Sequence, residues 1–299
     1  MALPALPRDI FNAGLYRSIL RVWFASQPPS ATTPTYPTLQ RWFGLGRSPE
    51  EKAAFDIECK LAAMPALEFL SPEKYPLPGF ESFDVDRQNA HNLSKPFRQL
   101  IVEDGTPLPP AIPNATQDPP PDSSESEGVP VDALNRVNVA TALILLLDQL
   151  PRNIYRDVNE QWRIYSHYDR LSRALVHSFL ETHSPSDTST ELKDLDARNH
   201  FANCPAHRIW FYLPLLHSED LRDHGINDAK YDDMQARCEA RGDEEGLKLV
   251  GPPRKIIKDH TEILEKFGRY CHRNRALGRE MRTEEVEYLE GGGETFGTG

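Results

Sequence analysis

Residues 142–147 are apolar on every side of a helix, and Leu134, Val137, Thr141, Ile144 and Leu145 recur around them at helical spacing. A helix with no polar face can only be buried, so the rest of the chain must supply the elements that surround it. Pro151 predicts an end to that helix near Gln149 or Leu150, because the residue before a proline is pushed out of helical conformation. Other stretches repeat the 3.6-residue pattern. Phe11, Leu15, Ile19, Val22 and Trp23 follow Asp9, the expected N-cap. Tyr168, Leu171, Leu175 and Phe179 form an amphipathic stripe. Pro205 suits the first turn of a helix carrying Ile209, Trp210, Tyr212, Leu213 and Leu216, with a kink expected at Pro214. Ile256, His260, Ile263, Leu264 and Phe267 form another, stopped at Gly268, and Thr283 opens a last short helix through Leu289. Almost nothing alternates with period two, so the class is all-α. A chain of 299 residues is long enough for one large helical core.

Proline breaks the pattern where the chain should not pack. Residues 104–130 hold eight of the 26 prolines, five acidic residues, no basic ones and only three of Leu, Ile or Val. Such a stretch cannot bury enough apolar surface to offset its ordering entropy. The expectation is a single helical domain over 1–299 with a disordered insertion at 104–130 and a flexible, glycine-rich tail at 291–299. Residues 27–37 and 239–253 are two further soft segments.

The net charge of −11 argues against nucleic acid and anionic lipid as partners, since both need a basic surface. No apolar run approaches the length of a membrane span. Cys59, Cys204, Cys238 and Cys271 are dispersed with no CxxC spacing, and no leader pattern opens the chain. These features predict a cytoplasmic protein with free thiols.

Three polar clusters follow the most apolar helices. The first is Asp148, Gln149, Arg152, Asn153, Tyr155 and Arg156. A carboxylate at a helix C-terminus faces the negative end of the dipole and needs a cation, with Arg152 and Arg156 nearest in sequence. The second is His217, Ser218, Glu219 and Asp220. If the helix continued, His217, Asp220 and His224 would share one face at i, i+3 and i+7, an acceptable ligand set, though a solvated or ion-paired face explains them as well. No metal or other cofactor is expected. Ser218 beside His217 suggests no nucleophile pair, because adjacent helical residues do not face each other and no G-x-S-x-G elbow exists. The third cluster, Arg269, His272, Arg273, Asn274, Arg275, Arg279 and Glu280, concentrates basic charge in an acidic chain. Its arginines need acidic partners or an anionic ligand. Each cluster also has a purely structural reading, as a buried ion pair or a solvated helix end.

At these clusters the sequence resembles the domain-of-unknown-function family numbered 924, found in bacteria and fungi. The matching stretches are ALILLLDQLPRNIYR at 142–156, FYLPLLHSEDL at 211–221 and HTEILEKFGRYCHRNRALGREMRTEEVEYLEGGG at 260–293, with VWF at 22–24 and RWFG at 41–44 before them. The resemblance implies a tetratricopeptide-like helical superhelix, or an irregular helical bundle, and no established activity. It carries over Asp148, Gln149, Pro151, Arg152, Asn153, Tyr155, Arg156, His217, Ser218, Glu219, Asp220, Arg269, His272, Arg273, Asn274, Gly278, Arg279 and Glu280 as motif positions. It carries over nothing from 165–169. The chain departs from the family pattern at Asp157, His224 and Cys271, where Gly, Gln and Pro are usual, which weakens any family-wide metal site that includes His224.

Two functions compete. In one, Asp148, Gln149, Arg152, Asn153, Arg156, Arg269, Arg273, Asn274, Arg279 and Glu280 bind a small anionic or carboxylate-bearing molecule, while His217, Glu219, Asp220 and His272 supply acid/base chemistry. In the other, a helical-repeat surface binds a peptide or partner protein without catalysis. Convergence of the clusters on one pocket favours the first, and an open polar groove favours the second.

Overall fold

The computed structural model describes residues 3–25, 33–107, 134–180, 192–197 and 203–296. In chain order its helices are α1 (Ala13–Phe24), α2 (Tyr36–Phe43), α3 (Pro49–Phe69), α4 (Phe83–Gln88), α5 (Ala90–Asp104), α6 (Arg136–Ile154), α7 (Asp169–Leu180), α8 (Pro205–Leu216), α9 (Leu221–Arg241), α10 (Glu244–Val250), α11 (Pro253–Phe267) and α12 (Thr283–Glu290). Among the described residues there is no strand, only an isolated bridge between Thr106 and Asn135, so the protein is all-α. Most of the expected insertion, 108–130, lies outside the described residues. No helix among the described residues is long and apolar enough to cross a membrane.

The all-apolar helix sits where its sequence demands. α6 packs against α1, α3, α5, α7 and α8, and Leu143 through Leu147 are fully buried. Two of its polar contacts are local: Thr141 Oγ1 donates to the Val137 carbonyl at 2.8 Å, and Asn135 caps the start through the Asn138 N–H at 2.8 Å. A tryptophan cluster fixes α2 to this body. Trp210 meets Trp23 and Trp42 edge-on at 4.9 and 4.7 Å, and Trp42 Nε1 donates to the Trp23 carbonyl at 2.7 Å.

Several local expectations are corrected. The cap of α1 is Asn12, not Asp9, because Asn12 is the extended residue whose side chain accepts from the N–H groups of Gly14 and Leu15. α6 does not stop before Pro151 but runs to Ile154. Leu150 and Pro151 are buried, and core packing there outweighs the local pre-proline preference. The soft segment 239–253 is helical: Gly242 ends α9 in the left-handed region, and Asp243 at once caps α10 through the Gly246 N–H. Within 27–37, α2 begins at Tyr36 behind the cap of Thr35, and 26–32 lies outside the described residues.

The C-terminal portion forms a second apolar cluster of Ile263, Leu264, Phe267, Tyr270 and Cys271. Buried Glu285 holds it together, accepting from Arg269 at 2.7 and 2.8 Å, from Asn274 at 3.1 Å and from the Arg282 N–H at 2.8 Å.

Candidate functional site

A cavity of about 650 Å³ opens where the C-terminal ends of α6 and α8 meet α2, the start of α3, α11 and the turn at Cys271–Arg273. Residues from all three polar clusters line it: Gln149, Arg152, Asn153 and Arg156 from the first, His217 from the second, His272 and Arg273 from the third. Arg41, Arg47, Lys52 and Lys255 join them, so seven Lys and Arg side chains face two carboxylates, Asp259 and Glu294.

At its base, Asp148 is fully buried and accepts from His217 Nδ1 at 2.8 Å and from Gln149 Nε2. Burial alone would raise the Asp148 pKa. A protonated His217, the Arg152 charge and hydrogen bonds from His217 and Gln149 outweigh it and bring the carboxyl below the usual carboxylate range. Burial and the Arg152 charge push the His217 pKa down, against the pull of Asp148. An ionised Asp148 can only accept, so the neutral imidazole carries its proton on Nδ1 and its lone pair on Nε2. No described residue hydrogen-bonds Nε2, and His217 lines the cavity. A buried carboxylate that fixes the tautomer of a histidine is the arrangement a general base requires.

The arginines divide by what they touch. Arg152 forms a two-pronged pair with Asp169 at 2.8 and 3.0 Å and donates to the Asp148 carbonyl at 2.6 Å. Arg156 pairs with Asp56 at 2.5 and 2.7 Å. Arg273 is different. Its guanidinium lies over the rings of Tyr165 and Tyr270, 4.6 and 4.5 Å from their centroids, and donates to the His217 carbonyl at 2.9 Å. Its nearest carboxylate oxygen, on Asp169, is 3.9 Å away, Nε is buried without a partner, and only 8% of the side chain is exposed. A π-helical turn, Ile164–Tyr168, supplies Tyr165 and leads into Asp169; such turns recur at functional sites.

The remaining motif residues are placed elsewhere. Glu219 takes a two-pronged pair from Arg279 at 2.7 and 3.0 Å and the Tyr270 N–H at 2.9 Å, fastening the C-terminal portion to the end of α8. Burial opposes its ionisation, but Arg279 and Arg273 bring its pKa below the usual range. Arg269 and Asn274 bind Glu285, and Glu280 is exposed. Asp220 caps α9 and accepts from Arg87 and Arg173. α8 ends at Leu216 and α9 starts at Leu221, so His217, Asp220 and His224 do not share a helix face, which corrects the ligand-set reading. His224 Nε2 bonds the Ser218 carbonyl at 3.0 Å instead. His272 stays at the cavity wall, where burial, with Arg273 and Arg279, pushes its pKa down to about 3.

Sequence reasoning missed Arg41, Arg47, Lys52, Tyr165, Asp169 and Lys255. Arg41 and Gly44 lie in the RWFG stretch noted above, and Gly44 caps α2 with φ +66°, bringing its backbone against the Lys52 side chain. The others carry no local signal.

Fold and site together define an all-helical protein with a cation-lined cavity built around a carboxylate–histidine pair. The family model described as "Bacterial protein of unknown function (DUF924)" matches residues 19–293, and the chain belongs to this family. No curated protein and no solved structure matches it significantly.

Proposed function

We propose that the cavity binds a small molecule with an oxyanion group, carboxylate or phosphate, and that Asp148 and His217 act on it as an acid/base pair. The observation that carries this reading is Arg273, a guanidinium more than nine-tenths buried whose neighbouring carboxylate, Asp169 at 3.9 Å, is hydrogen-bonded to Arg152 instead, at the wall of a cavity where cations outnumber carboxylates among the described residues. A structural arginine so buried is normally paired. An oxyanion bound at its fork would supply the missing partner. His217 Nε2 would then take a proton from the ligand or from a water beside it, while Asp148 stabilises the imidazolium that forms. No Ser, Thr or Cys is among the described residues lining the cavity, which favours proton transfer or water activation over a Ser, Thr or Cys nucleophile.

A tetratricopeptide-like surface for a protein partner is the competing reading. The low exposure of Arg152, His217 and Arg273, at 19, 17 and 8%, favours a pocket over a groove. Titration calorimetry with inorganic phosphate and acetate tests the proposal. Saturable binding that Arg273→Gln weakens at least tenfold is expected, and no binding of either anion refutes it.

A further inference from the structure

Resting on that anion-binding reading, the geometry points to a ligand whose oxyanion is carried on a flat aromatic body. Two large apolar side chains that line the cavity are half exposed, Phe43 of α2 at 54% and Ile256 of α11 at 51%. They come from opposite ends of the chain and share one opening. The Phe43 ring stacks offset on Trp210, at 6.3 Å and 22° between planes, and about half of its surface stays open to a ligand. Deeper in, the rings of Trp42, Phe55 and Tyr165 continue the wall toward Arg273.

The charge pattern matches the same body. Arg47, Lys52 and Lys255 lie along the cavity, and no described carboxylate is hydrogen-bonded to Arg47 or Lys52. Arg273 lies over the rings of Tyr165 and Tyr270, and a guanidinium takes a planar carboxylate or a phosphate through two oxygens. A bare phosphate or acetate would satisfy the cations and leave the aromatic wall wet. A ring attached to the same group would cover both, with offset or edge-on stacking as the orienting contact.

The test compares each headgroup with and without its ring, using calorimetry on the full chain: benzoate against acetate, phenyl phosphate against inorganic phosphate, and cyclohexanecarboxylate as an apolar body that is not flat. The expected result is at least a tenfold lower Kd for the phenyl member of each pair, a weaker cyclohexyl ligand, and a collapse of the phenyl-to-bare ratio in Phe43→Ala. Ile256→Ala gives the same readout should Phe43→Ala fail to fold. Bare anions that bind as tightly as their phenyl forms, or cyclohexanecarboxylate equal to benzoate, overturn the aromatic-body inference while leaving the anion site standing. Failure of every anion to bind removes the anion site itself. Whichever headgroup binds more tightly decides between carboxylate and phosphate.

Discussion

Arg152 and Arg273 stand beside the same histidine, yet truncating them should have opposite consequences. Arg152 neutralises two carboxylates, Asp169 through both oxygens at 2.8 and 3.0 Å and the fully buried Asp148 at 3.5 Å. Arg152→Ala leaves both uncompensated, at a cost on the order of 3 to 5 kcal/mol. At about 2 °C per kcal/mol for a chain this long, the melting temperature should fall by roughly 6 to 10 °C. Arg273→Ala gives up a hydrogen bond to the His217 carbonyl and two ring contacts, worth about 2 to 4 kcal/mol together. It also removes a buried cation that hydrogen-bonds no described carboxylate, and its repulsion from Arg152, which offsets most of that loss. A fall of no more than about 3 °C is expected. Differential scanning calorimetry with and without phosphate separates the two: the parent and Arg152→Ala should be compared for melting temperature, and Arg273→Ala should show no phosphate-dependent stabilisation. Equal destabilisation by both substitutions, with no effect of phosphate on the parent, would show Arg273 to be a structural residue and refute the reasoning.

Other expectations follow from buried titratable groups. His167 and His260 have pKa values lowered to about 4 and about 3, chiefly by burial, so the unfolded chain binds protons that the folded chain refuses as pH drops below about 6.5. Stability should therefore fall with decreasing pH by about 1.4 kcal/mol per unit for each of these histidines, readable as denaturation midpoints between pH 7 and 4; a flat profile across that range would contradict their buried, neutral state. Nitrogen NMR of His217 at pH 7 should show the neutral tautomer protonated at Nδ1, and an imidazolium signal would rule out its role as a base. Glu285→Gln should lower the melting temperature by about 6 to 10 °C, because the buried carboxylate binds Arg269, Asn274 and the Arg282 N–H at once. An unchanged melt would show that the C-terminal portion does not depend on this clamp.

The sequence by itself determined the helical class and the centre of the core. A helix apolar on every side has one solution, burial among other helices, and 142–147 adopts it. Its periodic partners Ile19, Leu175 and Ile209 were legible for the same reason, as was Leu264 of the C-terminal cluster, since a 3.6-residue stripe is a local property of the chain. Helices with weaker stripes or internal prolines, such as α3 with Pro65 and α5 with Pro96, were not, because tertiary packing rather than local preference holds them. Ser48 and Glu51 form a capping box at the start of α3. The motif residues were likewise visible as polar clusters after apolar helices, but their roles were not. It took the three-dimensional structure to show that Arg279 takes Glu219, that Asp169 takes Arg152, and that Arg273 has no carboxylate closer than Asp169 at 3.9 Å among the described residues. Ion pairing depends on distances of a few ångströms between residues tens of positions apart, and a linear pattern of charges holds no such distances.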